Sequence, residues 1–361
     1  MGEILGIGLS HYPPLCGLDE DMAHPLRSTL SDDSIPAIHR DPASWPPAMQ
    51  AEWGDDDGRS AAARHRAKLV PAFAKIRAAI DDFEPDAIVI VGDDQYENFR
   101  EDIIPPYAIL AYDDLICRPW DEAQHSSAMG GRQNIWGEAS DTEFVVRGYS
   151  SLGRALAAGL LESDIDVAYA YRPLHHPSLT HAFINALLFL DYERSGLDYP
   201  VIPLAVNCYG RAVISRRGYI GKLAAGCEPD PPSPSPRRLM AVGSALADVI
   251  RSREERIALV ASSSWSHAFL CDKTRRIRPD TPADRELYDE MVDGDYERLS
   301  ARPLSSLEES GQHEVLNWYV LFGAMHKLGR TPAWSTLIET DVFNSNKAFA
   351  IYPTDETRSQ P

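Results

Sequence analysis

Short apolar runs alternate with longer segments of helical periodicity along most of this chain of 361 residues. The apolar runs occupy residues 4–9, 87–91, 167–171, 201–206 and 257–261, and most are bounded by Gly, Pro, Asp or Ser. Runs of this length and composition are typical of buried β-strands. Helical periodicity is found at residues 61–83, 150–161, 235–250 and 310–328. The alternation predicts an α/β fold in which helices flank a mixed, largely parallel central sheet.

At roughly 150 residues per domain, the length allows one large domain or two ordinary ones. We find no internal repeat, and we predict a single elaborated domain over residues 1–361. Residues 16–59 are rich in Pro, Asp and Ser and lack sustained periodicity. Long segments of this kind inside a domain are uncommon and often functional. We therefore predict that residues 16–59 form an inserted loop or lid.

The composition argues against several classes of partner. Lys and Arg total 35 and Asp and Glu total 54, so the net charge is −19. Such a chain would be repelled by nucleic-acid backbones and by anionic membrane surfaces. The five cysteines are scattered without CxxC spacing, which favours reduced thiols over a disulfide scaffold. Because we find neither a signal-peptide pattern nor an apolar run of about 20 residues, we expect a cytoplasmic protein.

Ligands of open α/β sheets bind beyond the carboxyl ends of the strands, so polar residues that follow the apolar runs are candidate site residues. These residues are His11, Asp93, Asp94, Gln95, His175, His176, His181 and His267. A further candidate is Glu314, which stands just before the mostly apolar segment VLNWYVLFG. A carboxylate held near a buried surface needs a cation or hydrogen-bond donors.

Five motifs along the chain resemble, in the same order, those of the class III extradiol ring-cleavage dioxygenases. They are LSHYPPL, VIVGDDQYENF, THAFINALLFL, ASSSWSHAF and GQHEVLNWYVLFGA. This is the family of the protocatechuate 4,5-dioxygenase catalytic subunit and of 2,3-dihydroxyphenylpropionate dioxygenase. The resemblance extends over about residues 1–350, apart from residues 16–59. It implies a mononuclear non-haem Fe(II) site that opens a catechol ring with O2, and it implies a homo-oligomer.

The resemblance also implies roles for individual residues. The family's metal triad contains two His and one Glu; its first His matches His11 and its Glu matches Glu314. Gln95 stands in the run DDQYENF where the family has its second ligand His. The two histidines that the family uses around the substrate match His181 and His267. His267 is then the candidate base that takes a proton from the substrate, while His181 hydrogen-bonds a substrate oxygen or acts as the paired acid.

Several arrangements of the second metal ligand remain open. Gln95 can bind through its amide oxygen, as a harder and weaker donor than His. If Asp94 binds instead, the ligand set contains one His and two carboxylates, which suits Mn(II), Mg(II) or tightly held Fe(II). A histidine of the 16–59 segment, His24 or His39, can complete the site, or the metal can be absent. The expected cofactor is therefore Fe(II), with Mn(II), Zn(II) or no metal as the alternatives.

The sequence thus predicts an Fe(II)-dependent extradiol dioxygenase whose partners are O2 and a substituted catechol or a related dihydroxylated or aminophenolic ring. His176 and Asp94 are the candidates for further contacts with the substrate. Two alternatives keep the same fold. The first is a non-oxidative hydrolase or lyase that uses a redox-inert metal as a Lewis acid. The second is a metal-free, non-catalytic subunit.

Overall fold

The architecture is that of a computed structural model, in which residues 2–121, 132–212 and 229–354 are described. Ten strands lie in these ranges: β1 Glu3–Leu9, β2 Ala87–Asp93, β3 Tyr107–Leu110, β4 Leu115–Cys117, β5 Phe144–Val146, β6 Ala168–Ala170, β7 Val201–Val206, β8 Arg256–Ser262, β9 Trp334–Ile338 and β10 Lys347–Tyr352. Eight of them form one sheet in the order β6-β3-β7-β2-β8-β1-β10-β9. The strands β4 and β5 pair separately.

The large sheet is mixed, and its centre is parallel. The pairs β1–β8, β2–β8, β2–β7 and β3–β6 are parallel, whereas β3–β7, β1–β10 and β9–β10 are antiparallel. The predicted mixed, largely parallel sheet is therefore confirmed. Each of the five apolar runs overlaps a strand of this sheet. Four of these strands, β1, β2, β7 and β8, lie at its centre, and the fifth, β6, lies at one edge.

Helices cover both faces of the sheet. The α-helices in the described ranges are α1 His24–Leu30, α2 Ala37–Arg40, α3 Pro47–Trp53, α4 Arg59–Phe83, α5 Ser150–Glu162, α6 His181–Leu190, α7 Pro236–Arg251, α8 Thr281–Asp293, α9 Tyr296–Ala301, α10 Leu304–Glu309 and α11 Leu316–Lys327. Residues of α5, α7 and α11 share one buried cluster with Val89 and Val91 of β2. Residues of α4 and α6 share the other with Ile88 and Ile90. The alternation along β2 thus buries both faces, as a central parallel strand requires.

Two glycines allow α7 and α11 to cross at close range. A Cβ atom at Gly243 would lie 1.8 Å from the carbonyl oxygen of Val320, and one at Gly323 would lie 2.0 Å from that of Met240. Neither position can therefore carry a side chain without moving a backbone. The crossing fixes α11 against the sheet, and α11 directly follows the turn that contains Glu314.

Residues 16–59 contain α1, α2 and α3 joined by short 3-10 turns. The side chains of Met22, Trp45 and Met49 are buried in the cluster on the α4 face of the sheet. The guanidinium of Arg66 in α4 donates hydrogen bonds to Asp19 Oδ1 and to the carbonyl oxygen of Leu15, at 2.7 and 2.8 Å. The segment is therefore helical and packed in this structure, and its action as a lid remains a prediction.

Four cysteines in the described ranges are free and buried: Cys16, Cys117, Cys208 and Cys271. The fifth, Cys227, lies outside the described residues. Among the described helices, none combines the length and the apolar character needed to cross a membrane.

Candidate metal and active site

The neighbouring parallel strands β1, β8 and β2 all end at one edge of the sheet. His11 follows β1, Asp93 is the last residue of β2, and His267 follows β8 after a short loop. His181 is the first residue of α6, and Glu314 lies in the 3-10 turn His313–Val315 that leads into α11. All five side chains are buried. The edge that the sequence indicates is therefore lined by two carboxylates and three imidazoles.

The imidazole of His11 presents its Nε2 atom to both carboxylates. The Nδ1 atom lies 3.0 Å from Ser262 Oγ, and the Ser262 hydroxyl donates its proton to the carbonyl oxygen of Ala182. Nδ1 of His11 therefore carries the proton, and Nε2 has a free lone pair. Nε2 lies 3.6 Å from Glu314 Oε2 and 3.9 Å from Asp93 Oδ1. Burial, with the nearby histidines, holds the pKa of His11 well below its usual value.

The carboxylate of Asp93 is fully buried and has one oxygen held by α11. Asn317 Nδ2 donates to Asp93 Oδ1 at 3.2 Å and also to the carbonyl oxygen of Ser262 at 3.1 Å. Asp93 Oδ2 lies 3.8 Å from Nε2 of His181. Burial raises the pKa of Asp93 to about 6.

The imidazole of His181 is oriented by Glu97. His181 Nδ1 lies 2.6 Å from Glu97 Oε2, and the His181 backbone N–H donates to Oε1 at 3.1 Å. Nε2 is thereby directed toward Asp93. Burial lowers the pKa of His181, but the negative charges of Glu97, Asp93 and Glu314 outweigh that effect and raise the pKa to about 10.

The carboxylate of Glu314 is held through one oxygen. Its Oε1 atom accepts hydrogen bonds from Gln95 Nε2 at 2.8 Å and from the Tyr209 hydroxyl at 2.7 Å. Nε2 of His267 lies 3.4 Å from the same oxygen. Burial, followed by the charge of Asp93, raises the pKa of Glu314 well above its usual value, and burial lowers the pKa of His267 to about 3.

The residues at this edge fit a divalent metal ion. His11, Asp93 and His181 each offer one ligand atom, and these atoms lie within 4.8 Å of one another. Asp93 Oδ2 and Glu314 Oε2 are buried, and neither accepts a hydrogen bond from any residue in the described ranges. A buried carboxylate oxygen without a donor is costly unless a cation or a proton compensates it. Imidazole nitrogens together with carboxylate oxygens are a common ligand set for such ions.

Other residues that the sequence indicates lie outside this cluster. Both oxygens of Asp94 accept backbone N–H groups of the next turn, from Glu97, Asn98 and Phe99. Asp94 therefore stabilises the turn, and the carboxylate that enters the site belongs to Asp93. His176 is buried, and its Nδ1 atom lies 3.0 Å from the carbonyl oxygen of Ser178 in its own loop.

The two histidines of residues 16–59 also have other surroundings. His24 Nδ1 lies 2.7 Å from a guanidinium nitrogen of Arg132. His39 lies in α2, where its carbonyl oxygen accepts a hydrogen bond from Trp45. Neither histidine belongs to the group of potential ligands that the described residues form.

A sequence model of one family, the catalytic LigB subunit of aromatic ring-opening dioxygenase, matches residues 230–350. This range contains His267 and Glu314. A 2,3-dihydroxyphenylpropionate/2,3-dihydroxicinnamic acid 1,2-dioxygenase of Paraburkholderia xenovorans is 26% identical over 71% of this chain and 80% of its own length. One from Rhodococcus sp is 26% identical over 73% of this chain and 84% of its own length. The chain resembles the class III extradiol ring-cleavage dioxygenases.

Other matches to these dioxygenases are shorter. The 2,3-dihydroxyphenylpropionate/2,3-dihydroxicinnamic acid 1,2-dioxygenase 2 of Pseudomonas putida is 27% identical over 53% of this chain and 46% of its own length. A crystal structure of an uncharacterized Escherichia coli K12 protein aligns with 78% of this chain and 91% of its own, at 14% identity and a TM-score of 0.40. The resemblance to the dioxygenases is carried by sequence, at low identity.

Proposed function

We propose that this chain is an Fe(II)-dependent extradiol dioxygenase that opens a substituted catechol or a related dihydroxylated or aminophenolic ring with O2. The observation that carries the proposal is the convergence of His11, Asp93 and Glu314 at one sheet edge. His11 Nε2 lies 3.6 Å from Glu314 Oε2 and 3.9 Å from Asp93 Oδ1, and each carboxylate has one buried oxygen that accepts no hydrogen bond from the described residues. The relatives supply the reaction class, since they are named as dioxygenases of dihydroxylated aromatic acids.

His11, Asp93 and Glu314 would hold the metal through His11 Nε2, Asp93 Oδ2 and Glu314 Oε2; the two carboxylate oxygens accept no hydrogen bond from the described residues. When bound there, Fe(II) supplies the redox chemistry that allows O2 to react with the aromatic ring. The orientation of these three side chains is fixed by the hydrogen bond that His11 Nδ1 donates to Ser262 and by those that the carboxylates accept from Asn317, Gln95 and Tyr209. Such supporting contacts keep a metal site ordered and raise its affinity.

His267 and His181 flank the site on different elements. We propose that His267 accepts a proton from the substrate and that His181 donates one to it. A ring hydroxyl must lose a proton to become a good ligand, and a neutral buried imidazole can accept it. Nε2 of His267, next to Glu314, is the proposed acceptor. Nε2 of His181 is aimed into the site because Glu97 holds Nδ1, and it would donate to a substrate oxygen. Burial of both rings keeps water away from these transfers.

A non-oxidative hydrolase or lyase is the second candidate function. The observation that favours it is the presence of two carboxylates beside His11, where the family pattern has one carboxylate and two histidines. A more anionic oxygen-rich set suits redox-inert ions such as Mg(II) as well as Mn(II). Such an ion would act as a Lewis acid without consuming O2.

Oxygen uptake distinguishes these functions. The apo-protein is loaded with Fe(II) under anaerobic conditions, and O2 uptake and the yellow absorbance of ring-opened products are recorded with catechols, aminophenols and hydroxypyridones. We expect one O2 consumed per ring opened, and loss of uptake in Glu314→Gln. Bound metal without O2 uptake on any substrate would contradict the dioxygenase and favour the non-oxidative enzyme. A chain that binds no metal would contradict both.

A further inference from the structure

Gln95 is the residue at which this chain departs from the family pattern, and in this structure its amide nitrogen contacts Glu314 and Tyr209. Its Nε2 atom donates one hydrogen bond to Glu314 Oε1 at 2.8 Å and another to the Tyr209 hydroxyl oxygen. The Tyr209 hydroxyl in turn donates its proton to Glu314 Oε1. Both protons of the amide nitrogen and the proton of the phenol are therefore used in one closed network.

This network determines which way the amide of Gln95 faces. If the amide were rotated, its oxygen would stand about 2.8 Å from Glu314 Oε1. Two acceptor oxygens at that distance repel each other, and the carboxylate would lose a donor that it needs when buried. The group of Gln95 that faces the carboxylate is therefore N–H, which repels a cation.

The network also determines which oxygen of Glu314 is available. Oε1 accepts two hydrogen bonds, whereas Oε2 accepts none from the described residues and lies 3.6 Å from His11 Nε2. Asp93 shows the same division, because Asn317 holds Oδ1, whereas Oδ2 accepts no hydrogen bond from the described residues and lies 3.8 Å from His181 Nε2. Each carboxylate thus has one oxygen held by amide or hydroxyl donors and one oxygen available to a ligand.

We propose that the metal ligand that the family has at position 95 is supplied in this chain by Asp93, and that Gln95 and Tyr209 are positioning residues for Glu314. This inference rests on the proposed metal site. Asp93 ends β2 with its carboxylate in the site, two residues before Gln95, so the same strand still provides one ligand. The ligand set is then His11, Asp93 and Glu314, with one more negative charge than the family pattern.

Metal affinity of the apo-protein tests this inference without relying on turnover. Mn(II) is titrated into wild type and variants, and free Mn(II) is followed by its electron paramagnetic resonance signal; Fe(II) binding is then measured by competition with a chelator. We expect Asp93→Asn to weaken binding by at least about 100-fold. Gln95→Leu and Tyr209→Phe each lose about 10- to 100-fold, the usual cost of removing a supporting hydrogen bond. Tyr112→Phe is the matched control, because this buried phenol contacts Asn98 rather than Glu314.

The decisive comparison is between Gln95→Leu and Tyr209→Phe, which each remove one donor to Glu314 Oε1. If Gln95 is itself a ligand, Gln95→Leu weakens binding as strongly as the loss of a ligand and far more than Tyr209→Phe does, and that result overturns the inference. Unchanged affinity in Asp93→Asn overturns it as well. Circular dichroism and thermal unfolding without metal verify that each variant is folded. Failure of the wild type to bind metal would instead contradict the proposed function itself.

Discussion

The two histidines that flank the site have opposite electrostatic surroundings. Burial lowers the pKa of His267 to about 3, so this ring is neutral near pH 7. The pKa of His181 is raised to about 10, chiefly because the Glu97 carboxylate outweighs the effect of burial. Two titratable groups with pKa values driven apart in this way are typical of an acid–base pair. A bound cation would change both values, so mutation is the more direct test of their roles.

Replacing His267 by Ala tests its proposed role as the base. We expect turnover to fall by about a hundredfold or more, the usual effect of removing a positioned acid–base group, while metal affinity changes little. Steady-state O2 uptake gives the rate, and metal content after dialysis gives the binding. His326→Ala, at an exposed histidine near the end of α11, is the control. Normal turnover of His267→Ala would remove His267 from the mechanism.

The sequence identified His11, His181, His267 and Glu314 as site candidates because each stands beside a recognisable apolar segment. It did not assign roles to Asp93, Glu97, Tyr209 or Asn317, because their contacts join residues far apart in the chain. One signal was available for Asp93. Side chains alternate along a strand, so Asp93 faces the same side of β2 as Val89 and Val91, toward α11. Asp94 faces the other way.

Asp284 in α8 holds together three segments that surround the site. Its carboxylate accepts hydrogen bonds from the backbone N–H of Ser266, from Gln312 at 2.7 Å and from Asn346 at 2.8 Å. These residues precede His267, the turn of Glu314 and β10, respectively. Burial raises the pKa of Asp284 to about 7, and the charge of Asp280 contributes in the same direction.

This shift predicts how Asp284 affects stability at different pH values. An unfolded Asp titrates near pH 4, so between about pH 4 and pH 7 the folded state binds the proton more tightly than the unfolded state. The stabilisation from this group is therefore complete below about pH 4 and is lost as the pH rises to about 7. Asp284→Asn removes that dependence, and its loss of unfolding free energy should be smaller at pH 8 than at pH 5, by about 3 kcal/mol, because only the interval between pH 5 and the folded-state pKa of about 7 contributes to this difference. Urea unfolding of both proteins at each pH measures this, and an equal loss would contradict the shift.

The close crossing of α7 and α11 leads to a second prediction, which concerns the stability of the fold. Gly323→Ala would set a Cβ atom against the carbonyl oxygen of Met240, and neither helix backbone can yield cheaply. We expect a loss of about 3 kcal/mol or more in unfolding free energy, at the upper end for overpacking. Gly329→Ala is the control, because that glycine has a φ of +61° and open space around it, so only about 1 kcal/mol of backbone strain is added. Similar losses in the two variants would argue against a tight crossing.

The predicted helix at residues 310–328 shows that apolar periodicity alone does not locate the start of a helix. The structure ends α10 at Glu309, inserts the 3-10 turn His313–Val315 and begins α11 only at Leu316. Gly311 explains part of the break, because it has a φ of +67° and a Cβ there would lie 2.5 Å from the carbonyl oxygen of His267. This contact between distant segments interrupts a pattern that is continuous in sequence.

At the scale of the whole molecule, the central strands were predictable because their apolar runs are long and bounded by turn residues. The short strands β3 and β9 were not predicted, since runs of four or five residues show too little periodicity in sequence. β9 is a half-buried edge strand, whereas β3 is buried between β6 and β7. Residues 16–59 were predicted as an irregular insertion because their helices are brief and Pro-rich. The helices of residues 16–59 are held in place by contacts with α4 and with the segment before β10, and only the folded structure brings these segments together.

Glu52 provides one contact between residues 16–59 and the surroundings of the site. Its carboxylate accepts hydrogen bonds from the Thr340 hydroxyl and from the backbone N–H groups of Asp341 and Val342, at 2.7 to 3.0 Å. A few residues further along, the carbonyl oxygen of Asn344 accepts from the N–H of Ala268, next to His267. Glu52 in α3 thus supports the turn that packs against the strand-end loop of the candidate base.

Mutation of Glu52 tests whether residues 16–59 act as a fixed support or as a lid. If residues 16–59 act as a fixed support, Glu52→Ala should lower the unfolding free energy by about 2 kcal/mol, increase hydrogen exchange in residues 340–346 and slow turnover. If they open in each catalytic cycle as a lid, removing the contact should speed opening and raise turnover when opening limits the rate. Glu52→Gln retains an acceptor without the charge and should lie between wild type and Glu52→Ala. Because three hydrogen bonds hold the segment closed, we expect the slower enzyme, and faster turnover in Glu52→Ala would establish the lid instead.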